Sequence, residues 1–205
     1  MSKPNFGVFI DFWNGHPNHL PFLNLRESNN EPKDWNLKKS IELIDEIMLK
    51  NTEESIIESI ELLLNSENWR PHLVALMAIF KLKEVKQQKH IKLLWERLAR
   101  GSWVSPQILV ILSIIDTAFA SVADGILANG FTVTYSELSP IEHHSARGPS
   151  GPKTASQKIK EAIYFLRQGS IIDLNSGDSG GRIAEGWKNN LLHLVETKKL
   201  QLNIR

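Results

Sequence analysis

Residues 177–181 read Gly-Asp-Ser-Gly-Gly, which also fits the looser Gly-x-Ser-x-Gly. In that pattern a serine hydroxyl stands exposed on a sharp turn and acts as a nucleophile, provided that an acid and a base converge on it. Three further stretches hold residue types capable of chemistry. His16 and His19, with Asp11 nearby, are imidazoles and a carboxylate of the kind that hold zinc or iron. His143, His144 and Arg147 lie in "PIEHHSARGPSGPK" (140–153), where a histidine would act as general base and the arginine as anion clamp. Lys86, Lys89, His90, Arg97 and Arg100 fall along one side of a helical pattern at 86–100, a stripe able to contact phosphates. The chain has no cysteine, so a disulfide framework, a thiolate metal site and a cysteine nucleophile are all excluded.

Each chemistry needs elements that bring its groups together, and helical periodicity dominates this chain. "WNLKKSIELIDEIMLK" (35–50) lines up Leu37, Ile41, Ile44, Ile47 and Met48, and "TEESIIESIELLLN" (52–65) lines up Ile56, Ile60, Leu63 and Leu64. Asn51 with Glu54 reads as a capping box between them. Further helices are predicted at 70–83, with Pro71 in the first turn, at 86–100, ended by Gly101, and at 105–116 and 117–129. The segment 105–116 is apolar nearly all round, as a helix covered on both sides must be. Two more helices, 154–168 and 182–196, close the chain, the first stopped by Gly169. "GFTVTYSELS" (130–139) is β-branched and aromatic, and the alternating tail "LQLNI" could pair with it as a two-stranded patch.

A weak internal repeat is the most informative feature. Setting 56–80 against 90–115 places Trp69 on Trp103, 34 residues on, and with one inserted residue Pro71 on Pro106. A period of this length holding two helices marks stacked helical hairpins, which bury their apolar faces only against neighbours. The pattern resembles the HEAT/armadillo class of α-solenoid over roughly 36–129, resuming at 154–196. The expected fold is therefore all-α: an irregular N-terminal cap at 1–35, repeats at 36–129, and a region at 130–205 that continues or abuts them. The resemblance implies a binding surface rather than an active site.

That architecture decides among the candidate chemistries. The trypsin-like serine proteases, which share the pentapeptide, need two β-barrels to assemble histidine, aspartate and serine, and the nucleophile elbow needs a sheet. Neither is available, so Ser179 is expected to lie in a turn, with Asp178 or Ser179 capping the helix behind it. A calcium loop starting at Asp173 would require glycine at 178 and glutamate at 184, where the chain has Asp178 and Ala184. Lys153-Thr154 follows glycines, but Pro149 and Pro152 remove two of the amides a phosphate loop would use. Pro17 keeps His16 and His19 off a common helical face, so neither a metal nor any other cofactor is expected.

Hydrophobic residues make up 41% of the 205 and charged residues 23%, with a net charge of +1, ordinary for a soluble globular chain. No apolar run reaches membrane-span length and the start lacks a secretory core, so a cytoplasmic protein with no membrane partner is expected. Charge is unevenly spread: 27–67 holds 11 acids against 4 bases, and 68–100 holds 8 bases against 2 acids. The acidic blocks and a pI of about 8.0 disfavour a long polyanion. The expected function is non-catalytic binding of another protein, as an adaptor or a toxin-neutralising, immunity-type protein. Its contacts would come from Trp13 and Trp35 in irregular sequence, from Lys86, Lys89, Arg97 and Arg100, and from His143, His144 and Arg147. A nucleic-acid binder using the helix at 86–100 is the rival, and an enzyme built on the 140–153 loop the third reading.

Overall fold

Where the apolar periodicity predicts helices, the chain forms them. The computed structural model describes residues 5–15, 18–26, 36–130, 155–172, 178–200 and 202. Eight α-helices and two 3₁₀ segments occur among these residues, and no strand. The β patch expected from 130–139 and the tail falls almost wholly outside the described residues, as do the 140–153 loop, His16, Trp35, His143, His144 and Arg147. The chain divides into two compact units, 1–90 with 190–205, and 91–189.

In the first unit, α1 (Leu37–Lys50), α2 (Glu53–Asn65) and α3 (Trp69–Lys81) pack together. All the residues lined up on the apolar faces of α1 and α2 are buried. The junction between them corrects the expected capping box by one residue. Thr52 is the N-cap of α2, its Oγ1 accepting from the Ser55 amide at 3.3 Å. Asn51 instead closes α1, its Nδ2 donating to the Ile47 carbonyl at 2.8 Å. Both residues can serve either helix end, and the two-residue link gives each end one of them.

The next helix, α3, is more deeply covered than its sequence suggests. Every residue from Pro71 to Lys81 is buried, against α1, α2 and the 3₁₀ turn Leu20–Leu23. Its two buried polar side chains have partners: His72 Nε2 donates to the Ser66 carbonyl at 2.9 Å, and Lys81 Nζ pairs with Asp45 of α1 at 2.7 Å. Burial holds the Lys81 ammonium below its ordinary proton affinity, and Asp45 opposes that shift. The N-terminal segment expected to be irregular forms 3₁₀ helices at Gly7–Trp13 and Leu20–Leu23. Phe9, Phe12 and Phe22 drive this, since all three are fully buried and the segment packs on α1, α2 and α3.

The helix α4 (Glu84–Arg100) spans the division between the units, as does α8 (Gly180–Glu196). In the second unit α5 (Ser105–Ile115), α6 (Phe119–Asn129) and α7 (Ala155–Gln168) pack on one another. Ser105 through Leu112 are all buried, as the continuous apolar run requires. Pro106 sits in the first turn of α5, where its missing N–H leaves no bond unmade. Gly101 (φ 85°) and Gly169 (φ 68°) supply the left-handed residues that stop α4 and α7.

Candidate binding surfaces and the Gly-Asp-Ser-Gly-Gly segment

Two small residues opening α8 decide what the pentapeptide does. Ser179 is fully buried and is the N-cap: its Oγ accepts from the Arg182 amide at 3.4 Å. Asp178 pairs with Lys158 of α7 at 2.7 Å, and both side chains are buried. The Lys158 ammonium also lies 4.9 Å from the centroid of the Trp103 ring, a cation–π placement. Glu161, one turn further along α7, accepts from the Gly180 amide at 2.7 Å. A carboxylate there meets the unsatisfied amides of a helix start. Gly180 rests directly on the α7 backbone, since a Cβ built on it would lie 2.1 Å from the Lys158 carbonyl oxygen. The segment is thus a helix start locked onto a neighbouring helix.

Sequence reading found the cap but missed Lys158 and Glu161. Their only signal is the i, i+3 spacing of two charges on a helix otherwise apolar on that side. Nothing in that spacing points to Asp178 twenty residues on.

The basic residues of α4 do not form one exposed stripe. Lys89 is exposed, whereas His90 and Arg97 are buried and Lys86 and Arg100 are half-buried. Lys86 pairs with Glu53 of α2, and Arg97 Nη2 donates to the Gly101 carbonyl at 2.9 Å, closing its own helix. The expectation of one polar stripe is corrected: at about 100° per residue His90 and Arg97 fall within about 60° of buried Leu94, on the flank of the apolar face, and are covered with it. Burial lowers the His90 pKa to about 4, with the Lys89 charge adding to the shift.

Of the two tryptophans proposed as anchors, Trp13 is described. It is half-buried, stacked on His19 with ring centroids 5.1 Å apart and 4.1 Å from Phe6. His19 is buried, bonds the Phe12 carbonyl through Nδ1 at 3.3 Å, and has its proton affinity lowered chiefly by that burial. It is a packing residue of the N-terminal segment, and among the described residues no three potential ligands gather around a metal position. Trp187 is buried, and Trp95 donates to Asp116 at 2.8 Å while stacking on Phe119.

The surface of α2 carries a feature that block charge counts only hint at. Glu54, Glu58 and Glu61 are exposed, and their i, i+4, i+7 spacing puts them on one face, with exposed Leu62 at its edge. Among the described residues none of the three has an ion-pair partner, whereas Glu42 and Glu46 of α1 pair with Lys38 and Lys50. Leu49, at the end of α1, is 61% exposed.

No protein-family model, no curated protein and no solved structure matches this chain. No described helix is long and apolar enough to cross a membrane.

Proposed function

We propose that this is a non-catalytic binding protein whose ligand is another protein, and that its helical hairpins stack in the HEAT-like manner the 34-residue period implies. The observation that carries the reading is the unpaired acidic face of α2, with aliphatic Leu62 beside it. Free carboxylates beside an exposed leucine suit a basic, partly apolar protein surface, and they repel a nucleic-acid backbone. The fate of the chemically capable residues supports it as well. Ser179 is occupied as a cap, and Lys158, Asp178 and Glu161 as an interhelical lock. An adaptor, or an immunity-type protein that covers a basic active site, would use such a face.

The test is recovery of a partner from host lysate with the full chain as bait, with and without nuclease and at two salt concentrations. The reading expects a stoichiometric protein complex that survives nuclease, weakens with salt, and is lost on Glu54→Lys, Glu58→Lys and Glu61→Lys together. Recovery of nuclease-sensitive material only, unaffected by those changes, would move the assignment to nucleic acid.

A further inference from the structure

The first unit also holds a cavity of about 350 Å³ lined by Leu25, Arg26, Asn190, His193 and Leu194. That size lies at the lower end of the roughly 300–1,000 Å³ of small-ligand pockets. Its walls are held in place by unusual local structure. Leu25 adopts φ +54° although it is not glycine, a conformation stabilised by burial of its side chain and by its amide donating to the Pro21 carbonyl at 3.0 Å. Asn24 then fixes both sides of the cavity. Its side-chain Oδ1 accepts from the Arg26 amide at 3.0 Å, and its carbonyl accepts from Asn190 Nδ2 at 2.8 Å. The backbone carrying Arg26 is thereby tied to the helix carrying His193.

The lining prescribes a ligand. The Arg26 guanidinium has no ion-pair partner among the described residues, and neither does His193; a planar fork beside an imidazole matches a carboxylate. Leu25 and Leu194 close the floor but are themselves almost wholly covered, so what the lining offers a ligand is polar contact rather than apolar area. Asn190 spends an N–H on Asn24, which orients its amide and leaves Oδ1 as an acceptor for a ligand N–H. A carboxylate with an adjacent amide N–H is the end of an N-acylated amino acid. We propose that this cavity binds the carboxylate end of an N-acylated amino acid, free or at the C-terminus of a polypeptide. The proposal is independent of the acidic face of α2.

The experiment titrates the isotope-labelled full chain with N-acetyl-leucine, N-acetyl-leucinamide and a peptide ending in leucine, read by amide chemical shifts. N-acetyl-leucine should give saturable shifts at residues 24–26 and 190–194, and the amide should bind at least about tenfold more weakly, having lost the charge-assisted contact. Arg26→Gln, at an exposed position that leaves the fold intact, should weaken N-acetyl-leucine by a similar factor, and His193→Gln by less. Tighter binding of the peptide identifies a polypeptide C-terminus as the source, and equal binding a free acyl amino acid. Equal affinity for acid and amide, shifts mapping elsewhere, or no saturation overturns the proposal.

Discussion

At Gly180 and Gly186, six residues apart in α8, the same substitution has opposite consequences. A methyl at Gly180 would lie 2.1 Å from a backbone oxygen of α7 that no rotamer change can move, whereas nothing lies within 4 Å of one at Gly186. Gly180→Ala should therefore destabilise by about 1–3 kcal/mol, the usual cost of overpacking. Gly186→Ala should stabilise by about 0.5–1 kcal/mol through helix propensity. Thermal unfolding of the two variants reads both, and a loss at Gly186 would mean that α8 is not helical there. Thr52 and Asn51 pose a similar contrast. Thr52→Ala removes the α2 cap and should cost about 1 kcal/mol in urea unfolding. Glu54→Ala, two residues on, which caps nothing and lies exposed, should cost far less.

Helices α7 and α8 are joined by charge as much as by apolar contact. Lys158, Asp178 and Glu161 are buried together, and removing one member strands the others in a medium that solvates them poorly. Lys158→Met alone should cost about 3–5 kcal/mol, while Lys158→Met with Asp178→Leu should recover much of that loss. A double-mutant cycle by denaturant unfolding measures the coupling, and additive losses would show that the pair does not act as a unit. The helix α4 teaches a related lesson. A wheel treats an element as having one wet side and one dry side, but α4 is covered across a wider arc, which takes in His90 and Arg97.

The molecule as a whole should lose stability on mild acidification. The folded His90 has a pKa of about 4 against about 6.5 unfolded, so between those values only the unfolded chain is protonated there. Its contribution is complete above pH 6.5 and is lost as pH falls toward 4, about 3 kcal/mol in all if no other group intervenes. His19 is shifted in the same direction by its own burial. His90→Gln should flatten the decline of the urea midpoint between pH 6.5 and pH 4, and an unchanged slope would assign the decline to other groups.

Much of this was legible in the chain. Periodicity alone determined the helices and the buried faces of α1 and α2, because a 3.6-residue repeat of apolar side chains has one way to leave water. The place of Ser179 ahead of a helix was legible too, since capping is a local bond over three residues. Tertiary structure decided what depends on residues distant in sequence. It buried α3 from Pro71 to Lys81 despite His72 and Lys81, whose compensating partners lie on other elements or earlier turns. It gave Asp178 a lysine twenty residues away, and it joined Arg26 to His193 across an Asn24–Asn190 hydrogen bond. A charged side chain's fate depends on whether a partner reaches it before water does, and no spacing along the chain records that encounter.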